Sequence, residues 1–251
     1  MTRVSAAGRR RLDVALAERG LAESRARAQA LILAGRVRVN GETVRTASTP
    51  VADNDRLEIA AGERWASRGA LKLMPALDTF GLDPGGRACA DIGASSGGFT
   101  DLLLRRGASR VYAVDVAYGI IDWRLRQDPR VVLMERTNAR ALAKGSFPEP
   151  VSLVVVDVSF ITLQAILPAV RAAAPDADVV ALFKPQFEVG REHVGKGGVV
   201  RDPELVEHAL KEFERWCPQA GYQPVGRAAA GLPGPHGNRE VFVRLRPEPP
   251  R

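Results

Sequence analysis

The stretch Asp91-Ile92-Gly93-Ala94-Ser95-Ser96-Gly97-Gly98-Phe99-Thr100-Asp101 constrains the fold more than any other part of the chain. It follows an apolar run, Ala88-Cys89-Ala90, that reads as a buried parallel strand, and it leads into Leu102-Leu103-Leu104-Arg105, which reads as a helix. Strand, glycine-rich turn and helix N-terminus in that order make a ligand cradle. The glycines let backbone approach a ligand closely, and the first turn of the helix leaves N–H groups unpaired. The spacing is neither G-x-G-x-x-G nor G-x-x-x-x-G-K-[ST], because Gly93 is followed by Gly97 and Gly98 with no lysine next. Dinucleotides and triphosphates therefore lose ground to a nucleoside whose tail carries an amino acid.

The 251 residues allow one full domain and a small appendage. A net charge of +7 favours a polyanionic partner over a surface made basic only for solubility. Arginine supplies most of that charge, since lysine occurs only at Lys72, Lys144, Lys184, Lys196 and Lys211, so a lysine in a motif stands out. Cys89, Cys217, His193, His208 and His236 show no metal-ligand spacing and no disulfide framework, and no metal is expected. Arg9-Arg10-Arg11 is followed by Leu12-Asp13-Val14 rather than by an apolar leader segment, and no run reaches the roughly 18 apolar residues of a membrane span. The expectation is a cytoplasmic protein, monomeric in solution and away from membranes.

The first 60 residues read as a separate binding module. Residues 11–20 place Leu12, Ala15 and Leu16 on one helical face with Gly20 as the stop. A second helix starts at Ser24, a good N-cap, buries Ala28, Leu31 and Ile32, and ends at Gly35. Arg36-Val37-Arg38-Val39 alternates with period two, Asn40-Gly41 is the favoured type I′ hairpin dipeptide, and Arg56-Leu57-Glu58-Ile59 supplies a last strand. Arg25 and Arg27 in the first turn of the second helix, with Arg36 and Arg38 on the polar side of the strand, are the candidates to form one patch against a phosphate backbone. This order of helix, Ser-Arg-x-Arg helix, basic strand and Asn-Gly turn resembles the alpha-L RNA-binding domain, shared by a small-subunit ribosomal protein and several RNA-modifying enzymes.

Residues 61–66 read as a short linker, with Trp65 expected to pack against a neighbour, and residues 247–251 as a flexible tail. From residue 67 to 246, helices alternate with apolar strands that end near Asp91, Asp115, Leu133, Asp157 and Phe183, and two late strands follow near 223–225 and 241–243. Helices are expected around 120–127 and 163–173. Strands this apolar require a mostly parallel sheet with helices on both faces, an α/β Rossmann-like fold, and ligands in such sheets bind at the carboxyl ends of strands.

Asp115 lies 22 residues after Gly93, about the offset at which an acidic side chain reaches two vicinal ribose hydroxyls from the next strand. Asn138 is placed either to contact an adenine edge or to cap a helix. Lys72 precedes the first strand of the sheet, Asp157 and Lys184 end two others, and Glu240 begins the last. One charge terminating a strand is common; this set together points to a site. Phe160 is a candidate to stack on a base turned out of its helix. The glycine-rich loop from Gln186 to Val200, by composition, looks able to reorder over RNA or cofactor.

Asp91-x-Gly93-x-Ser95-x-Gly97-Gly98-Phe99, with Lys72, Asp157, Lys184 and Glu240, resembles the FtsJ-type ribose methyltransferases, whose signature is a Lys-Asp-Lys-Glu tetrad. The N-terminal module, Ser67-Arg68-Gly69-Ala70-x-Lys72-Leu73, Val158-Ser159-Phe160-Ile161, Lys184-Pro185-Gln186-Phe187-Glu188 and Leu232-Pro233-Gly234-Pro235-x-Gly237-Asn238 are closer still to the TlyA family, over nearly the whole chain. The resemblance implies 2′-O-methylation of cytidines in ribosomal RNA with S-adenosylmethionine as donor. It places Lys72, Asp157, Lys184 and Glu240 as catalytic residues and Asp91, Gly93, Ala94, Ser96, Gly97, Gly98, Phe99, Asp115 and Asn138 at the cofactor. One departure is Arg64-Trp65-Ala66, where a valine often follows the tryptophan. The family has also been labelled hemolysin; absence of any membrane span or strong amphipathic cationic helix argues against a membrane-active protein. An intact tetrad argues against a silent ribosome-assembly factor.

Overall fold

The computed structural model describes residues 9–33, 35–59, 65–234 and 237–249. Two compact units divide the chain, one up to residue 64 and one from residue 65. Residue 60, residues 61–64 of the expected linker and residues 250–251 of the expected tail lie outside the described residues.

In the first unit, β1 (Arg10–Arg11) leads into α1 (Leu12–Glu18), followed by α2 (Arg25–Leu33), β2 (Val37–Val39), β3 (Glu42–Val44), β4 (Pro50–Val51) and β5 (Leu57–Ile59). Leu12, Leu16, Ile32 and Val37 are fully buried and form its core with Ala28 and Leu31, the faces that helical periodicity selects. Ser24 Oγ accepts the Arg27 N–H at 3.1 Å, which caps α2. Asn40 and Gly41 take φ values of 53° and 89°, the left-handed pair that a type I′ turn requires, and β2 pairs antiparallel with β3 and β5 on either side. The β1–β4 pairing, two residues long, carries no periodic signal in the sequence.

The second unit begins with α3 (Gly69–Phe80) and β6 (Ala88–Ile92), then α4 (Gly98–Arg105), β7 (Arg110–Val114), α5 (Trp123–Arg126) and β8 (Val131–Met134). It continues with β9 (Leu153–Val156), α6 (Leu167–Ala173), β10 (Asp178–Phe183), α7 (Pro185–Glu188), α8 (Pro203–Trp216), β11 (Tyr222–Ala229) and β12 (Val241–Pro247). The sheet order is β11-β12-β10-β9-β6-β7-β8. From β10 to β8 every pair is parallel, whereas β12 runs antiparallel to β10 and to β11. Alternate strand residues enter two cores: Ala90, Val154, Val156 and Ala181 face α6 and α8, while Cys89, Val155, Val180 and Leu182 face α3 and α4. Burial on both faces is the reason these strands read as continuous apolar runs.

Four boundaries differ from the sequence expectation, each for a local reason. The helix expected over 120–127 is the single turn α5, started by the Asp122 carboxylate, which accepts the Arg124 N–H at 2.9 Å. Pro168 in the first turn of α6 sets its start at Leu167, after a 3₁₀ turn at Leu163–Ala165. Trp65 and Ala66 are not free linker. The Arg105 guanidinium lies 4.3 Å from the Trp65 ring centroid, and the Ala66 N–H donates to Asp101 at 2.7 Å. Pro247 and Glu248 are not free tail either, because β12 includes Pro247 and the Glu248 N–H donates to the Gly221 carbonyl at 2.8 Å.

Candidate active site

The carboxyl ends of β6, β7 and β9 enclose a cavity of about 430 Å³, within the range of small-molecule pockets. Its wall includes Gly93, Ser95, Asp115, Asn138 and Asp157 together with apolar Val116, Ile120 and Ile161. Gly93 has φ +87°, and a Cβ there would overlap the Asp157 carbonyl oxygen, so only glycine brings β6 this close to β9. Asp115 braces the glycine turn: its carboxylate accepts the Ser95 N–H at 2.7 Å and the Ala117 N–H at 2.8 Å. Asn138 caps a 3₁₀ turn by accepting the Arg140 N–H at 3.0 Å, and it also lines the cavity.

Other residues expected at the cofactor stand behind this wall. Asp91 is fully buried, and its Oδ2 accepts the Thr100 N–H and Oγ–H at 2.9 and 2.7 Å, which anchors the N-terminus of α4 to β6. Burial, with Asp157 nearby, pushes the Asp91 carboxyl up to about 7. Phe99 packs in the core against Phe242, ring centroids 5.9 Å apart. Gly97 and Gly98 shape the turn: Cβ atoms there would overlap Leu125 and Ser67. Ala94 is buried, and neither it nor Ser96 lines the cavity.

A second cavity of about 340 Å³ shares Ser159 and Phe160 with the first and is lined further by Lys184, Gln186, Phe187 and Glu240. Of the four charged residues singled out in the sequence, Lys184 and Glu240 line this cavity, and each is ion-paired with one of the other two. Lys184 Nζ contacts Asp157 Oδ1 and donates to Ser159 Oγ at 3.1 Å. Lys72 Nζ donates to Glu240 Oε2 at 2.6 Å, and the Glu240 side chain has no exposed surface. Phe160, 91% exposed with φ +64°, places its ring 5.1 Å from that of Phe187.

Backbone contacts position these groups. Pro75 inside α3 has no N–H to give the Leu71 carbonyl, and the chain after β11 passes close over this point. There the Gly231 N–H donates to the Lys72 carbonyl at 3.1 Å, and a Cβ on Gly231 would overlap the Leu71 carbonyl oxygen. Asn238, buried, accepts the Val200 N–H at 3.0 Å and donates to the Gly198 carbonyl at 2.8 Å. The 186–200 segment, whose composition suits reordering over RNA or cofactor, carries most of α7, a bridge between Gly195 and Val199, and this clamp. Glu188 Oε1 accepts the Leu163 N–H at 2.8 Å, tying α7 to the segment that follows Asp157; burial pushes its carboxyl up to about 7. Sequence reasoning did not single out Ser159, Gln186, Glu188 or Asn238 as site residues, although each stands within the motifs that flank the charged four.

In the first unit the arginines divide. Asp13, fully buried, accepts from Arg11 Nε at 3.0 Å, Arg25 Nε at 3.0 Å and Gln29 Nε2 at 2.7 Å. Arg25 therefore also holds α2 to the start of α1, and Arg11, not among the expected RNA contacts, stands beside it. The Arg11 guanidinium above all, with Gln29 and Arg25, holds the Asp13 carboxyl well below the usual carboxylate range. Arg27 and Arg38 are exposed and Arg36 is half-buried. Among the described residues no group of three or more His, Cys, Asp and Glu is placed to hold a metal ion, and no helix is long and apolar enough to cross a membrane.

Fold and cluster together define a Rossmann-like methyltransferase: residues 65–246 match the FtsJ-like methyltransferase family and residues 10–57 the S4 domain. Solved methyltransferases at low identity share the fold, among them one from Listeria monocytogenes at a TM-score of 0.52 and 13% identity. A protein of Mycobacterium tuberculosis named 16S/23S rRNA (cytidine-2′-O)-methyltransferase TlyA is 50% identical over 248 residues, 98% of this chain and 92% of its own. Hemolysin A of Brachyspira hyodysenteriae is 40% identical over 94% of this chain and 99% of its own. A hemolysin-named structure from Streptococcus thermophilus superposes with a TM-score of 0.72 at 40% identity, covering 97% of this chain and 90% of its own. The chain belongs to the TlyA family of FtsJ-like methyltransferases.

Proposed function

We propose that this protein transfers a methyl group from S-adenosylmethionine to the 2′-hydroxyl of cytidine in ribosomal RNA of the small subunit, the large subunit or both. One observation carries the reading: two cavities meet at Ser159 and Phe160, and the Lys184–Asp157 pair stands at their junction. The residues of the first cavity suit the methyl donor. Asp115 offers carboxylate lone pairs to ribose hydroxyls, Asn138 faces the adenine, and Val116, Ile120 and Ile161 give that ring apolar walls. Bound there, S-adenosylmethionine would supply a methyl on a sulfonium whose sulfur keeps the C–S electron pair as the new O–C bond forms.

The second cavity suits the target nucleoside, with Phe160 and Phe187 as aromatic faces for its base and Lys184 for its ribose. A neutral ribose hydroxyl is a weak nucleophile. Lys184, oriented by Asp157 and Ser159, donates to the oxygen as negative charge develops, and the hydroxyl proton leaves to the Lys184–Asp157 pair. Glu240 lines the same cavity with its charge offset by Lys72. Arg25, Arg27, Arg36 and Arg38 in the S4 unit, with Arg11, serve RNA phosphates.

Lys184→Ala tests this reading. Tritiated methyl incorporation into ribosomal subunits is expected to fall by roughly a hundredfold or more while RNA binding persists. Retained activity would remove Lys184 from the role given to it.

A further inference from the structure

Three contacts join α7 to the segment that follows Asp157. Lys184 Nζ, at the start of α7, donates to Ser159 Oγ at 3.1 Å, the Phe187 ring lies 5.1 Å from the Phe160 ring, and Glu188 Oε1 accepts the Leu163 N–H at 2.8 Å. The first two are made by side chains that line the second cavity, so an occupant of that cavity competes for both. Glu188 lines neither cavity, and its contact is independent of what fills them. The point it holds is fixed. Leu163 is buried in the core, and Thr162 before it gives the 3₁₀ turn Leu163–Ala165 no side-chain cap, so the Leu163 N–H depends on Glu188 for a partner. Phe160 shows why such an anchor matters. Its φ of +64° is strained for a bulky side chain and persists only where neighbours hold it, yet the ring is exposed and belongs to both cavities.

We infer that Glu188 is a positioning residue: by fastening α7 to the end of the Phe160 segment, it holds Phe187 and Lys184 at a set separation from Phe160, the separation into which the target base must fit. The inference rests on the assignment of the second cavity to the target nucleoside. What acts is the reach of the acceptor oxygen, not the charge behind it. The Glu188 carboxyl, pushed up to about 7 by burial, presents an acceptor in either protonation state, and a glutamine presents the same oxygen.

The test measures tritiated methyl transfer to ribosomal subunits by the full chain, with cofactor and subunits saturating. Glu188→Met, close in volume but without an acceptor, is expected to lower kcat by roughly ten- to hundredfold, the scale of a small misplacement of reacting groups. Glu188→Gln is expected to stay within about threefold of the wild type, because it keeps the acceptor at the same reach. Glu188→Asp keeps the carboxylate but falls one methylene short; it is expected to melt like the wild type and to turn over about tenfold more slowly, which separates positioning from folding. Amide exchange at Leu163 reads the contact itself, with protection lost in Glu188→Met and kept in Glu188→Gln. Phe160→Ala removes one wall of the cavity, so adding Glu188→Met to it is expected to cost at most about threefold more. Losses that multiply in that double variant, a Glu188→Gln protein as slow as Glu188→Met, or a Glu188→Asp protein as fast as the wild type overturn the inference. A wild type that methylates neither ribosomal subunit refutes the parent reading instead.

Discussion

Lys72 and Glu240 stand 168 positions apart in the chain, and the lysine Nζ lies 2.6 Å from the glutamate Oε2 with the carboxylate wholly buried. Removing one partner leaves an unpaired buried charge, which costs about 3–5 kcal/mol, whereas replacing both with apolar residues of similar volume is often nearly neutral. Lys72→Met is therefore expected to lower the melting temperature sharply, and Lys72→Met/Glu240→Leu to restore most of it. Methyl transfer remains lost in both. Melting curves with tritium incorporation separate the two effects, and an active double variant would make this pair structural only.

Much of this site is legible in the sequence, and the limits have physical causes. Lys72, Asp157, Lys184 and Glu240 stand out because charges next to apolar strands need partners, and Asn40-Gly41 because few residue pairs tolerate left-handed backbone. Periodicity cannot separate residues that touch a ligand from residues that shape the loop around it. Asp91 and Phe99 belong to the same motif as Gly93 yet lie behind the cavity wall. Contacts such as Gly231 to Lys72, or Asn238 to Val200, join segments whose neighbourhood only the folded chain creates. The glycines of the 186–200 segment suggest motion by composition, while the Asn238 clamp that orders it lies 38 residues downstream of Val200.

Gly93→Ala is expected to weaken S-adenosylmethionine binding by tenfold or more. The position needs φ +87°, and an added Cβ would meet the carbonyl oxygen of Asp157, displacing both the glycine turn and the residue that orients Lys184. Isothermal titration with the cofactor checks this directly. Gly119→Ala, at φ +77° with open space around its Cβ, is the matched control for backbone strain without the overlap.

Gly231→Ala is expected to lower kcat with little change in cofactor affinity. Its Cβ would overlap the Leu71 carbonyl oxygen and push the segment after β11 away from α3, breaking the hydrogen bond to the Lys72 carbonyl. Overpacking of this kind costs roughly 1–3 kcal/mol in stability. Methyl-transfer rates at saturating cofactor, set beside cofactor titrations, distinguish a displaced Lys72 from a damaged cofactor cavity.

Two buried carboxylates give the two units opposite responses to pH. Asp13 is held well below its ordinary 3.8 by Arg11, Gln29 and Arg25, so its contribution is complete above about pH 4 and is lost as the pH falls through the depressed value. Asp91 is raised from 3.8 to about 7, chiefly by burial. Between those values the folded chain keeps a proton that the unfolded chain has released, so the methyltransferase unit loses stability as the pH rises from about 4 to about 7. Glu188, raised to about 7 by burial, adds to the same trend. Asp91→Asn keeps an oxygen for the Thr100 donors and removes the titration; it is expected to flatten the decline in melting temperature between pH 5 and pH 8. Asp13→Asn is expected to leave that decline untouched and to destabilise the S4 unit at neutral pH. Amide exchange read separately on α1 and β6 across this range resolves the two units, and an Asp91→Asn variant with the wild-type slope would locate the titration elsewhere.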